Sequence, residues 1–530
     1  MSEKITFQVT ESMKVSDIEH KKVTKPLIEL LRDRGIAIDA PCNGLGRCGK
    51  CRIKAGGDLL PPNDAEKKAL GAGLADGWRL ACQARAFGDF WVDPPQKGNA
   101  RVSMEGLTKK YEFTPWVDIT ETGLPAYGLA VDIGTTTVAA YLLDLKDGRR
   151  IGTLGELNAQ RTYGADVISR ITACNEGHLD ELRKAIIDQI NEMASRLCPD
   201  TKRIFDVALC GNPTMQHILH GMAPEKLAVA PFIPTSLFGF AVPADEFGIQ
   251  ANPAAQVYTL PAISAYIGGD ITADVLSCGM YDDENITLMV DIGTNGEMAL
   301  GNKDGIYYCS TAAGPAFEGA AIEDGMGGID GAIGTVRVGK EDIEFDTIGN
   351  QKSIGICGSG IIDATAVMLE IGVMDETGRL VDPDELDEKY RDRLDDDARK
   401  FMIDRAHRIG LTDKDLRQVQ LAKSAIAAGI DTLMHNAGIG FDEVSAVWLA
   451  GGFGAHIDRD SACAIGLLPK ELKEKIHSVG NSAGEGAVRT ILDKNAKEIL
   501  SEIGKNAKYI ELSGDPYFMD SYVENMFFDK

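Results

Sequence analysis

Apolar and polar residues change rhythm twice along this chain. Near the start Ile5, Phe7 and Val9 alternate with polar neighbours, which predicts an edge strand. Pro26 to Arg34 (PLIELLRDR) has helical spacing and is closed by Gly35, predicting a short amphipathic helix. A strand over Cys51–Ala55, a break at Pro61 and Pro62, and a helix from Ala65 to Ala72 follow. From about Pro94 to Leu124 the text is polar and mixed, and predicts a connector that packs as an extended arm. From Tyr127 the runs LAVDIGTTTVAAYLLDL and ITLMVDIGTNGEMAL predict two strand-turn-strand hairpins, with helices such as Leu179–Leu197 and Leu416–Ala437. The repeated hairpin predicts two related lobes facing a cleft. The expected organisation is a small α+β unit at 1–95, a connector at 96–126 and a two-lobed α/β domain at 127–530.

Length and charge narrow the field. A chain of 530 residues is too long for one core. Its formal net charge of -25 argues against nucleic acid and against an anionic membrane as partners. The opening MSEKITFQVTESMK lacks the apolar core of a signal peptide, and no stretch reaches about 18 uninterrupted apolar residues, so a cytoplasmic protein is expected. Eleven cysteines in such a chain point to metal or redox use, and four of them fall between Cys42 and Cys82.

Cys42, Cys48 and Cys51 give C-x5-C-x2-C, with Cys82 standing apart. Gly44 and Gly46 lie between them, as suits a loop whose backbone N–H groups turn toward inorganic sulfide. Three thiolates on one loop and a distant fourth is the plant-type 2Fe–2S arrangement, here with five residues in the first gap rather than four. A four-cysteine zinc site is the alternative, although zinc favours two short Cys pairs. The other cysteines (174, 198, 210, 278, 309, 357 and 463) sit in apolar contexts and are expected to be buried thiols.

Asp132-Ile133-Gly134-Thr135 and Asp291-Ile292-Gly293-Thr294 repeat one device. An apolar strand ends in an aspartate, and small residues then let N–H groups and the hydroxyls of Thr135, Thr136 and Thr294, with Asn295, approach a phosphate. Each aspartate suits water-mediated Mg²⁺. In VWLAGGFGAHID a strand at Ala446–Ala450 runs into Gly451, Gly452, Phe453 and Gly454, where bare backbone accommodates a purine. Asp270, in YIGGDITADVL, reads from its local Gly-Gly-Asp-Ile-Thr context as a helix N-cap. Asn212 and Thr214 end another strand near the cleft, and His217 and His220 follow on a helix with a core or surface role.

Two Asp-Gly hairpins and a late Gly-Gly loop resemble the sugar kinase, heat-shock chaperone and actin superfamily, the ASKHA fold. By that resemblance Asp270 stands where sugar kinases carry a general base. Gly164, Ala165 and Asp166, with Gly484-Glu485-Gly486, would mark its two connecting helices. PCNGLGRCGKC, CGNPTMQH, AAGPAFEGAAIEDGM, GICGSGIID and NSAGEGA extend the resemblance, over essentially the whole chain, to the reductive activators of corrinoid proteins. That resemblance implies a β-grasp ferredoxin domain, 2Fe–2S, ATP and Mg²⁺ as cofactors, and ATP-driven reduction of Co(II) to Co(I) in a corrinoid methyltransferase protein. It also implies a low-potential electron donor and a homodimer. Cys309–Gly319 reads as a small-residue loop able to reach the corrinoid, with Ser310 as a candidate cobalt ligand. Competing readings are a small-molecule kinase with a fused ferredoxin, an activator of a radical dehydratase using Cys309 and Cys357, and a nucleotide-gated binding module.

Overall fold

The computed structural model describes residues 3–9, 14–20, 24–32, 34, 36, 38, 40, 44, 46, 49–93, 106–119, 125–454 and 456–528. They form two compact units, Met1–Gly98 with Leu157–Ile186, and Asn99–Glu156 with Ile187–Lys530.

The first unit is built on a five-stranded sheet in the order Lys14–His20, Glu3–Val9, Ala86–Asp93, Arg52–Leu59, Trp78–Leu80. The first strand is therefore internal, not the expected edge. A hairpin covers one side, Glu3 opposite His20 through Val9 opposite Lys14, and Ala86–Asp93 runs parallel along the other. Period-two alternation reports a strand but not who its neighbours are. The helix Leu27–Arg32 buries Leu27, Ile28, Leu30 and Leu31 in a core that includes Ile53, Leu80, Phe90 and Val92. The helix Asp64–Leu70 starts on a capping box: Asn63 Oδ1 accepts from Glu66 N at 2.9 Å, and Glu66 accepts from Asn63 N at 3.2 Å. Glu66 also takes a two-pronged grip from Arg79 at 2.8 and 3.0 Å, fixing the helix to the strand that leads to Cys82. Within the same unit the Arg32 guanidinium lies 4.3 Å over the Tyr163 ring.

The second unit holds two six-stranded sheets. One runs Phe240–Pro243, Gln256–Thr259, Ile204–Gly211, Tyr127–Ile133, Thr137–Asp144, Arg150–Leu157. The other runs Ile476–Gly480, Val444–Ala450, Ile286–Ile292, Gly296–Asn302, Gly305–Thr311, Ala507–Tyr509. The internal repeat is visible in the pairing. Asp132 has Ala139 antiparallel on one side and Cys210 parallel on the other, and Asp291 has Glu297 and Ala450 in the same relation. The helices Gly269–Cys278 and Ser482–Leu492 pack together, Gly486 lying against the Ala273 backbone where a Cβ would overlap. Their Ile271, Val275, Ala487 and Ile491 share one core with Ala130 and Tyr141 of the first sheet and Met289 and Tyr308 of the second. Gly164-Ala165-Asp166, expected at this junction, instead starts the helix Val167–Ala173 of the first unit, with Asp166 as its cap. Local sequence marks a helix start; it does not choose the helix's partner. The long helix Asp413–Ala437 begins three residues before Leu416 because Thr412 caps it with Asp415. Among the described residues no helix is long and apolar enough to cross a membrane.

Candidate functional site

In the first unit Cys51 and Cys82 meet at one end of an antiparallel strand pair, just before Arg52 and just after the Leu80 that lies opposite it. Both are buried, and their sulfurs lie 3.2 Å apart as free thiols. The Gln83 amide reaches back from the residue after Cys82 to the Gly44 carbonyl at 2.6 Å, closing the loop over the pair. Gly44, Gly46 and Gly49 take positive φ, and a Cβ on Gly46 would come within 3.0 Å of Gln83 and Ala65, so the loop is shaped as a tight cradle. Buried thiols held this close, without a disulfide, fit ligation of iron. Cys42 and Cys48 lie outside the described residues. The remaining cysteines are free, and Cys309 and Cys357 turn to the Gly429 and Ile333 carbonyls inside the second unit.

The second unit gathers Asp132, Asp270 and Asp291 with two residues absent from the sequence expectations, Asp274 and Glu297. Burial, then the Asp291 charge, pushes Asp270 up to about 8. Burial and Asp132 push Asp291 up to about 7, and burial pushes Asp132 up to about 6 although Asn481 and Cys210 bond to it. Asp274 and Glu297 are held well above the usual carboxylate range, again by burial and then by these neighbours. The charges that raise these carboxyls are one another, so the cleft retains protons near neutral pH and favours a divalent cation. Among the described residues no three His, Cys, Asp or Glu side chains converge as a ready-made metal cage.

The two hairpins meet through Glu318. Thr136 Oγ1 donates to its Oε2 at 2.9 Å, and Thr294 Oγ1 donates to its Oε1 at 2.5 Å. One carboxylate thus takes a hydroxyl donor from each of the two hairpin turns, Thr136 after Gly134 and Thr294 after Gly293. Glu318 lies in AAGPAFEGAAIEDGM, a stretch whose pattern gives it no role. Its signal was available: it is the one charged residue between Asp304 and Glu323. Asn212 caps the helix Pro213–Leu219 and donates to Thr135 Oγ1 at 2.9 Å, while Thr214 is buried in that helix. Asn295 donates to Glu297 at 3.1 Å.

Asp270 is not an N-cap. Gly268 holds that position, and Asp270 sits in the first turn of Gly269–Cys278 with its carboxyl accepting from Ile271 N at 2.9 Å. Gly451–Gly454 forms one helical turn after the strand Val444–Ala450. Gly451, at φ 81°, lies so close to Asp291 that a Cβ would overlap its carboxyl. Gly452 is exposed and Gly454 buried; the Phe453 side chain lies outside the described residues. Ser310 is in a strand, not a loop. It is half-buried directly opposite Glu297, and the loop begins only after Thr311. The antiparallel partner of the hairpin continues through Ser310 and so carries the strand further than small residues suggested. His217 bonds to the Pro213 carbonyl at 2.6 Å and accepts from Thr235 N at 3.0 Å, and His220 bonds to Thr259 at 2.8 Å, both structural roles. A separate cavity of about 1050 Å³, lined by Asp363, Val367, Met374 and Ser461 among others, holds none of the cleft residues.

Three stretches of the chain match known families. Residues 15–87 match a 2Fe-2S iron-sulfur cluster binding domain, 127–283 the RACo middle region, and 285–530 the C-terminal domain of RACo, the ASKHA domain. The chain is 38% identical over 420 residues to the corrinoid activation enzyme RamQ of Eubacterium limosum, covering 76% of this chain and 70% of that protein. It is 27% identical over 431 residues to the Co(II) methylated amine-specific corrinoid protein reductase of Methanosarcina barkeri, covering 75% and 76%. A solved structure, the reductive activator for corrinoid,iron-sulfur protein, superposes with a TM-score of 0.70 at 30% identity, over 99% of this chain and 98% of that one. A ferredoxin-type unit and an ASKHA unit on one chain, matched end to end in this way, place the protein in the family of ATP-dependent reductive activators of corrinoid proteins.

Proposed function

We propose that the chain takes the cobalt of a corrinoid methyltransferase protein from Co(II) to Co(I), one electron at a time, and that ATP hydrolysis in the aspartate cleft drives the transfer. One observation carries this: a buried thiol pair, Cys51 with Cys82, and a carboxylate cleft between two Asp-Ile-Gly-Thr hairpins belong to the same chain. A 2Fe–2S group held there supplies single electrons near about -400 mV. The Co(II)/Co(I) couple lies lower, and each ~59 mV uphill costs a factor of ten for one electron.

The residues divide the labour. Cys42, Cys48, Cys51 and Cys82 hold the cluster. Asp132 and Asp291 would hold Mg²⁺ through its waters, and the hairpin turns at Gly134 to Thr136 and Gly293 to Asn295 would receive phosphates. Asp270 would orient the attacking water and, in its ionised form, accept its proton. Gly451 to Gly454 give the adenosine a bare surface, and Gly451 also backs Asp291. Glu318 bridges the hairpins when nucleotide is absent and is displaced by it. Ser310, beside Glu297 on the cleft strand, is the candidate oxygen ligand for cobalt. A low-potential donor recharges the chain, which works in the cytoplasm as a homodimer.

The test is ATP turnover alone, with a Co(II) corrinoid protein, and in an Asp291→Ala variant. Corrinoid-dependent ADP formation that the variant lacks supports the reading. ADP formation that instead follows a sugar or acyl metabolite, with a phosphorylated product, would replace it with a kinase.

A further inference from the structure

Residues 106–116 are seated on the second unit by their backbone. Gly106 pairs with Gly480, and Leu107 N–H donates to the Val479 carbonyl at 2.8 Å. Lys109 N–H donates to Ser277 at 2.6 Å and Thr114 N–H to Leu492 at 2.9 Å, with Lys494 N–H returning to Thr114 at 2.7 Å. Ser277 and Leu492 are the last turns of the two packed helices Gly269–Cys278 and Ser482–Leu492. At the other end of this arm Gly106 lies flat on the Asn481–Ser482 peptide. A Cβ there would overlap the Asn481 carbonyl and stand 2.8 Å from Ser482 N.

That dipeptide also grips the cleft. Asn481 Nδ2 donates to Asp132 Oδ2 at 3.0 Å, while its Oδ1 caps the helix by accepting from Gly484 N at 2.7 Å. Ser482 Oγ donates to Asp274 Oδ1 at 2.5 Å. Asp274 lies one turn behind Asp270 on the same helix, and its second oxygen is sealed without a partner. One joint therefore holds the aspartate of a phosphate hairpin on its inner side, the Asp270 helix beside it, and the arm on its outer side.

We propose that Asn481 and Ser482 are positioning residues for the nucleotide cleft, and that the 106–116 arm is seated on them so that filling the cleft tightens the arm. The proposal rests on the ATPase reading above. It gives nucleotide state a covalent route to the chain segment that continues from the cysteine-bearing unit.

Hydrogen exchange on the full-length protein, with and without Mg-AMPPNP, tests it. The Leu107, Lys109 and Thr114 amides are expected to exchange at least tenfold more slowly when the nucleotide is bound. Asn481→Asp keeps a competent cap but sets a carboxylate against Asp132. Its ATP turnover is expected to fall at least tenfold relative to the parent, with the visible spectrum of the cluster and the exchange of the capped Gly484 amide unchanged. Gly106→Ala is expected to raise the KM for ATP at least threefold with the visible spectrum of the cluster unchanged. Unchanged arm exchange in a parent that turns over ATP overturns this inference alone, as does parent-like ATP turnover in Asn481→Asp. A parent that neither binds nor hydrolyses ATP overturns the functional reading and this inference with it.

Discussion

Replacing Glu318 by alanine should make the protein bind Mg-nucleotide more tightly. The carboxylate accepts from Thr136 and Thr294 at 2.9 and 2.5 Å, tying together the two hairpins proposed to receive the phosphates. Hydrogen bonds to a charged group contribute about 1.5–3 kcal/mol each. Glu318, Thr136 and Thr294 are only half-buried, which favours the low end, so the pair is worth roughly 3 kcal/mol by that scale. A nucleotide that displaces Glu318 must offset this tie, and 1.4 kcal/mol is a factor of ten, giving an upper limit of about 100-fold in Kd. Water will hydrate the freed hydroxyls and recover part of it. The expected gain is tenfold or more, read by isothermal titration of Mg-AMPPNP into Glu318→Ala and the parent. Glu318→Gln, which retains one amide oxygen as acceptor, should fall between them. Equal or weaker affinity in Glu318→Ala would show that Glu318 works with the nucleotide and not in its place.

Other expectations are as direct. Cys82→Ser should give protein without the cluster's visible absorption, yet with ATP hydrolysis in the second unit intact, checked by spectrum and phosphate release. Asp291→Asn should lower corrinoid-stimulated ATP turnover by about 10²–10³, the scale of losing one preorganised electrostatic group at a reacting centre, while the cluster spectrum stays. Mg-nucleotide binding at pH 7 should release roughly one to two protons, because Asp270 near 8 and Asp291 near 7 are still partly protonated before it binds; calorimetry in buffers of different ionisation heat measures it. The same raised carboxyls set the sign of pH-dependent stability. The folded chain binds more protons than the unfolded one, so nucleotide-free protein should lose stability as pH rises from about 4 through 8, and Mg-nucleotide should flatten that slope in thermal melts.

What the sequence disclosed was local. The two Asp-Ile-Gly-Thr turns, the Gly-Gly turn after a buried strand and the cysteine loop each put their chemistry within a few residues, so spacing alone exposes them. The strand before each aspartate could be read from its apolar run, whereas the neighbours of Glu3–Val9 could not, since pairing is chosen by distant segments. The same limit hid the functional residues that matter most for assembly. Glu318 meets Thr136 across 182 positions and Asn481 meets Asp132 across 349, separations at which no periodicity survives. Ser310 was misplaced for a related reason: a run of small residues looks like a loop until the partner strand Gly296–Asn302 is known to extend beside it. Asp270 sits two residues past Gly268, and a cap is chosen by backbone geometry that Gly-Gly-Asp leaves ambiguous.

Coupling of hydrolysis to a low-potential reduction is the claim on which the account turns. The measurement is anaerobic: reduce the protein chemically, remove excess reductant, add a Co(II) corrinoid protein, and follow Co(I) absorbance with Mg-ATP, with Mg-AMPPNP and with no nucleotide. Co(I) should accumulate with Mg-ATP and stay near baseline in the other two arms. Equal Co(I) in all three would contradict the account, as would none with Mg-ATP from a protein whose cluster is shown to be reduced.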